Sequence, residues 1–109
     1  MADGGFHEEA GRDAYLAVFH AALAFIGAQT GKEPKTHSGT RSEFARVARE
    51  DVRIPPGFGA FLAKTYSLKV IADSEGGETI SREEAEATLT TAAQLVEAIA
   101  SIIAPPQSA

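Results

Sequence analysis

Cysteine is absent from this chain of 109 residues. Without cysteine the protein can form no disulfides, no cysteine-ligated zinc or iron–sulfur centres, and no thiol nucleophile. The absence suits a reducing compartment, and we expect a cytoplasmic protein. The sequence also lacks a metal-ligand spacing, a glycine-rich phosphate loop and a Ser–His–Asp order, so we predict no metal site and no cofactor.

Long apolar runs are missing as well. The most apolar stretch, residues 21–28, is far shorter than the roughly 18 residues that a membrane-spanning helix requires. The start of the chain, Met1 to Gly5, has no basic region followed by an apolar one, so we expect no signal peptide. We therefore predict no association with a membrane.

Basic residues are in deficit, with 10 Lys and Arg against 15 Asp and Glu and a net charge of −5. Nucleic-acid-binding proteins usually carry a basic surplus, because neutralisation of phosphates supplies most of their affinity. One local basic stripe follows the second predicted helix and comprises Arg41, Arg46, Arg49 and Arg53. Because Glu43 and Glu50 interleave with it, we interpret this stripe first as a solvated face and second as a surface for an acidic partner.

Apolar residues recur at spacings of three and four along most of the chain, which predicts four helices and no strand. We place these helices at about residues 8–30, 38–50, 55–72 and 81–104. Their short connections favour an antiparallel up-and-down bundle. We expect a single domain over residues 1–109, with about 1–7 and 105–109 flexible.

Capping signals mark two of the predicted helix starts. Ser38 or Thr40 is expected to cap the second helix, and Thr40 and Glu43 have the spacing of a capping box. Ser81 and Glu84 have the same spacing at the start of the fourth helix.

The core is predicted from the apolar stripes of the helices. The stripe of the fourth helix contains Leu89, Ala92, Val96, Ile99 and Ile103. We expect Val96 and Leu68 of the third helix to be buried on facing helices.

Three blocks of sequence resemble a known family. They are residues 14–22 (AYLAVFHAA), residues 33–39 (EPKTHSG), and residues 66–73 (YSLKVIAD) followed by residues 80–86 (ISREEAE). In order and spacing they are similar to the HEPN-domain proteins, which carry an A-Y-Y-A-x-F-H-A-A helix, a K-T-H-S-G loop, an R-x-x-A-D-Y helix end and an I-S-x-E-E-A helix start. The resemblance covers roughly residues 10–103.

The resemblance implies a helical bundle that usually dimerises. Many members of the family are encoded beside a small nucleotidyltransferase, and some of these pairs are toxin–antitoxin systems. The active toxins are metal-independent ribonucleases with an R-x(4–6)-H motif. This chain departs from the pattern at Asp13, Leu16, Lys69 and Ser74, and we expect a bundle shortened at its N-terminus.

The ribonuclease motif of the family is absent. The histidines are His7, His20 and His37, and no arginine stands five to seven residues before any of them. Arg12 precedes His20 by eight residues. We therefore assign no catalytic residue and favour a protein that is not an enzyme.

Two groups of residues are candidates for binding a ligand or a phosphate. Lys35, His37 and Ser38 lie just ahead of the predicted second helix, whose N-terminus favours an anion. Lys69 and Asp73 are four residues apart and share a helix face. Each group also has a structural alternative. His37 could brace the start of the second helix, and Lys69 with Asp73 could form an ion pair on the surface or between subunits.

The leading hypothesis is a non-catalytic HEPN-type module that forms homodimers and binds a partner protein, a nucleotidyltransferase of a toxin–antitoxin-like pair. One alternative is a ribonuclease toxin with a divergent site that uses Lys35, His37 or Lys69. Another is a nucleotide- or phosphate-binding domain that uses the loop before Ser38. RNA and nucleotides are thus possible partners that the sequence does not favour.

Overall fold

A computed structural model describes residues 2–55, 57–73 and 80–103, and for residues 2–8 only the backbone is described. The helices are α1 (Ala2–Thr30), α2 (His37–Glu50), α3 (Phe58–Asp73) and α4 (Arg82–Ile103). The described ranges contain no strand, so the predicted all-α fold of four helices is confirmed. The expectation for residues 105–109 lies outside the described residues.

Helix α1 begins at Ala2, six residues before the start that we predicted. The backbone of residues 2–7, which we left outside the predicted helix, continues it. Ala10 and Gly11 are buried, so packing fixes the helix from this level onward. Extending an existing helix costs far less than starting one, which explains why a polar, glycine-rich segment can join it.

The cap of α2 is Thr36, not Ser38 or Thr40. Its hydroxyl accepts a hydrogen bond from the N–H of Gly39 at 2.9 Å. Thr40 lies inside the helix, where its buried hydroxyl donates to the carbonyl of Thr36 at 2.9 Å. At α4 the prediction is confirmed, because the Ser81 hydroxyl accepts from the N–H of Glu84 at 3.0 Å.

The connection between α1 and α2 folds back along α1. Gly31, with φ of 78°, ends the first helix, and Glu33 then lies against Gly27. His37 reaches the level of Phe19, on which its ring stacks. Helix α2 therefore starts about halfway along α1. Phe44, further along α2, packs on Phe25, further along α1, so the two helices run in the same direction and not in the predicted alternation.

Helix α1 is central and packs against all three other helices. The large side chains at the centre of the core include Tyr15, Phe25, Phe44, Leu62 and Leu95. A smaller cluster of Ala10, Leu68, Ala72, Ile80 and Ala85 joins the start of α1 to the end of α3 and the start of α4. No helix in the described ranges is both long and apolar enough to cross a membrane.

The face that α4 buries differs from the predicted stripe. Its buried residues are Ala85, Thr88, Ala92, Leu95 and Ile99. Leu89 is 37% exposed and Val96 is only half-buried, so the prediction that Val96 is a core residue is wrong. Leu68 is buried at 4% exposure, as predicted. Helix α4 has apolar residues on two adjacent faces, and the sequence did not distinguish the face that meets α1.

Candidate functional site

His37 is the first residue of α2, and its ring lies on α1. The imidazole stacks on Phe19 with ring centroids 4.1 Å apart and an interplanar angle of 19°. Its Nδ1 lies 3.1 Å from the hydroxyl of Tyr15, a residue only 1% exposed. The residue as a whole remains exposed to solvent. The stack and the hydrogen bond therefore fix an exposed imidazole in one position.

Arg41 lies one turn further along α2 and faces the same tyrosine. Its Nη1 donates to the Tyr15 hydroxyl at 3.3 Å, and its guanidinium carbon lies 3.6 Å from the centre of the Tyr66 ring. The two tyrosine rings are 5.6 Å apart. Since Arg41 has only donors, the Tyr15 oxygen accepts from it and can donate its own proton to His37 Nδ1. When Tyr15 donates to Nδ1, the neutral tautomer of His37 carries its proton on Nε2.

Lys69 and Asp73, at the end of α3, form an ion pair of 2.9 Å. Arg12 of α1 also bonds Asp73 at 2.9 Å and donates to the carbonyl of Ala72 at 2.8 Å. Hydrogen bonds from Arg12 and then from Lys69 lower the pKa of the Asp73 carboxyl. The pKa of Lys69 is raised, chiefly by its hydrogen bond to Asp73.

Lys69 follows Tyr66 by three residues on α3, and Arg12 precedes Tyr15 by three residues on α1, so each helix presents its tyrosine and its charged residue on one face. Three helices thus bring their polar side chains to one surface, which we name the polar cluster. Its members are Arg12, Tyr15, His37, Arg41, Tyr66, Lys69 and Asp73. With three permanent cations and one carboxylate, the cluster is locally basic on a protein of net charge −5.

The five predicted site residues do not all meet. His37, Lys69 and Asp73 belong to the polar cluster, although the prediction placed them in two separate groups. Ser38 is exposed, and its hydroxyl lies 3.5 Å from that of Thr36. Lys35 is exposed in the loop, and among the described residues we find no contact between it and the cluster.

The sequence reasoning missed four members of the cluster as site residues: Arg12, Tyr15, Arg41 and Tyr66. A signal for Arg41 was present, since it stands four residues after His37 and shares its helix face. Tyr15 lies inside the AYLAVFHAA block, which we used only for the resemblance. The contact between α1 and α3 that brings Arg12 to Asp73 links residues 61 positions apart, which no local pattern indicates.

Two of the four arginines of the basic stripe are neutralised by neighbouring carboxylates. Arg46 forms ion pairs with Glu43 and Glu50. Arg53 bonds Asp51 at 2.6 Å, and this hydrogen bond lowers the pKa of Asp51 to about 2. The first interpretation of the stripe, as a solvated face, fits these contacts, while Arg41 turns away from it toward the tyrosines.

The described residues form a small helical protein with one solvent-facing polar cluster, and they contain no group of three side chains suited to hold a metal ion. The family model described as the HEPN domain matches residues 1–102. The chain therefore belongs to the HEPN domain family. Comparison with curated proteins and with solved structures gives no match.

Proposed function

We propose that the protein is a non-catalytic HEPN-type module that dimerises and binds a nucleotidyltransferase of a toxin–antitoxin-like pair. The observation that carries the non-catalytic part is the absence of the R-x(4–6)-H motif, since no arginine stands five to seven residues before any histidine. At the end of α3, Lys69 stands where the family pattern R-x-x-A-D-Y has an arginine. Asp73, which that pattern shares, holds both Lys69 and Arg12 in ion pairs.

The outer side of α4 supports the dimerising part. Leu89, Ala93, Val96, Ala100 and Ile103 follow one another at spacings of four and three, the spacing at which helices pair along a seam. We name these five residues the α4 seam. It lies about a quarter turn from the face that α4 buries, at 100° per residue. Leu89, Ala93 and Ala100 are exposed, and the other two members are half-buried.

A second copy is the simplest cover for such a seam. Monomers seldom leave a large apolar strip in water, and two-fold dimers are the commonest assemblies. Leu16 of α1, at 47% exposure, adds a further apolar side chain to the uncovered surface of the bundle. The nucleotidyltransferase rests on the family resemblance, which supplies the class of partner.

Light scattering of the purified chain at tens of micromolar tests the dimer. We expect twice the mass of 11.4 kDa for the native chain and a shift toward monomer for Leu89→Glu and Ala93→Glu, which place a charge on the seam. Gln94→Glu is the matched control, because it lies on another exposed face of α4. A native monomer, or equal effects of all three substitutions, would overturn this part of the proposal.

Co-expression with the nucleotidyltransferase encoded beside the gene tests the partner. We expect the two chains to co-purify as a complex of defined mass that survives high salt. Salt screens attraction between charges, and an apolar interface depends little on such attraction. Separate elution of the two chains, or the lack of a neighbouring nucleotidyltransferase gene, would contradict the assignment.

A further inference from the structure

We propose that a groove between α2 and α3 binds an apolar helix of a partner protein that carries acidic residues beside its apolar face. The groove lies where α2 ends and α3 begins, and its lining includes Ala45, Arg49, Val52 and Ala60. We name it the α2–α3 groove. It shares no residue with the polar cluster or with the α4 seam. The inference goes beyond the function above, which gives a class of partner but no surface for it.

Small residues form the groove. A Cβ added to Gly59 would lie 3.4 Å from the Cα of Ala45 and 3.4 Å from the Cβ of Ala48, so α2 and α3 lie close together at this glycine. Because the residues at this contact are so small, they leave a volume of about 610 Å³ open beside it. Pockets that bind ligands usually measure about 300–1,000 Å³, so the groove is large enough to receive several side chains of a partner.

The connector beside the groove places an apolar side chain fully in water. Val52 lines the groove and is 99% exposed, whereas Ile54, two residues further on, is buried at 5% exposure. Pro55 and Ala60, which also line the groove, are exposed as well. Exposed apolar side chains that cluster around a groove are typical of protein interfaces, because a partner removes them from water together.

The segment that follows α2 is basic, although the whole chain has a net charge of −5. Residues 52–72 contain three Lys or Arg and no Asp or Glu. Two of these cations, Arg53 and Lys69, form ion pairs with carboxylates outside the segment. The third, Lys64, follows Ala60 of the groove by four residues and therefore shares its helix face.

Helix α2 adds a second cation, Arg49, which is exposed and lines the groove. Within the described ranges, no carboxylate lies within ion-pair distance of Arg49 or of Lys64. The carboxylate that lines the groove belongs to Asp51, whose side chain is 13% exposed and bonded by Arg53. Each of the two helices therefore presents a cation without a carboxylate partner next to an apolar groove.

This combination of shape and charge fits an acidic amphipathic helix. An apolar groove between helices can receive the apolar face of a helix from another protein. Glutamate or aspartate beside that face can then pair with Arg49 and Lys64, whereas a basic helix would be repelled. A nucleic acid fits less well, because its phosphates would lose hydration against the apolar lining.

An NMR titration with two synthetic peptides tests the groove. Both peptides have about 15 residues, a length at which an isolated alanine-rich helix begins to form in water. Both carry leucines at spacings of three and four, flanked by glutamates in one peptide and by lysines in the other. We expect the acidic peptide to give saturable shifts at Ala45, Arg49, Val52 and Ala60. The basic peptide should bind about tenfold more weakly, because its charges face cations.

Substitutions at exposed positions then assign the contacts without disturbing the core. Arg49→Glu should reverse the preference between the two peptides, whereas Arg82→Glu, the same change on α4, should leave it unaltered. Val52→Ser should weaken binding of the acidic peptide. Val70→Ser, which changes an exposed valine of α3 outside the groove, is its matched control and should have no effect.

The proposal is wrong if neither peptide binds, if the native chain binds both equally, if the shifts lie on the α4 seam, or if Arg49→Glu leaves the preference unchanged. The dimer and the nucleotidyltransferase are tested by mass and by co-purification, without these peptides. A failure there leaves the groove intact, and a failure here leaves the proposed function intact.

Discussion

Thr88→Val should stabilise the protein, because it removes a buried hydroxyl that has no partner. Thr88 lies on the face of α4 that meets the core and is 3% exposed. Among the described residues, its Oγ1 is the buried side-chain atom that we find without a hydrogen bond. Valine has nearly the same shape and a similar helix propensity, so packing is preserved and only the polar atom is lost.

The magnitude follows from the cost of an unpaired polar group. Burying a donor or acceptor without a hydrogen bond costs about 1–3 kcal/mol, so we expect the free energy of unfolding to rise by about 1–2 kcal/mol. For a domain near 100 residues, each kcal/mol raises Tm by roughly 4 °C. Urea unfolding should show a higher midpoint with an unchanged slope, measured at one fixed protein concentration because a dimer links stability to concentration.

Thr65→Val is the matched control. Thr65 is equally buried, but its hydroxyl donates to the carbonyl of Leu62 at 2.8 Å. Removing that hydroxyl loses a satisfied hydrogen bond, so the expected change is a loss of about 0–1 kcal/mol. Equal stability of the two variants, or destabilisation by Thr88→Val, would refute the reasoning about the unpaired hydroxyl.

Two further predictions concern the core and the polar cluster. Leu68→Ala should cost about 2–4 kcal/mol in urea unfolding, whereas Arg49→Ala at an exposed position should cost about 0.5 kcal/mol or less; similar losses would contradict the core assignment. An NMR titration should show the pKa of the Asp73 carboxyl below its ordinary value of 3.8. Arg12→Ala should raise this pKa more than Lys69→Ala does, because the hydrogen bond from Arg12 is the larger cause of the lowered pKa. Because the pKa of Asp73 is lower in the folded protein than in the unfolded chain, these ion pairs stabilise the fold at pH values above the ordinary pKa. This stabilisation is lost as the pH falls through the pKa of the folded protein. An Asp73 pKa equal to the ordinary value would contradict the ion pairs.

The helices could be predicted because their signals are local. The threonine and serine near the helix starts, the glycine at 31 and the apolar spacing all act within a few residues. The order of Thr36, Ser38 and Thr40 shows the limit of such signals. Each can cap a helix, but Thr40 is buried inside α2 and Ser38 lies in its first turn, so Thr36 is the residue that caps it.

The candidate site could be predicted only in part, because its members come from three helices. His37, Lys69 and Asp73 were identified from spacing and resemblance, but nothing local places them on one surface. That placement depends on the loop that folds back along α1 and brings His37 to Tyr15. The rotation of α4 was missed for a similar reason, since Leu89 and Leu95 are equally apolar and only the position of α1 separates them.

The central claim is that this HEPN module does not cleave RNA. Metal-independent cleavage requires one group to take the proton of the 2′-hydroxyl and another to stabilise the charge that develops on the phosphorus oxygens. Lys69 is engaged by Asp73, and His37 is bonded through Nδ1 to Tyr15. Lysine also lacks the planar fork with which arginine grips a phosphate.

An RNA cleavage assay on the native chain, beside His37→Ala and Lys69→Ala, tests this claim most directly. We expect no cleavage by the native chain above that of a mock purification, and no difference among the three proteins. Cleavage by the native chain that both substitutions abolish would contradict the non-catalytic account and establish a ribonuclease with a divergent site.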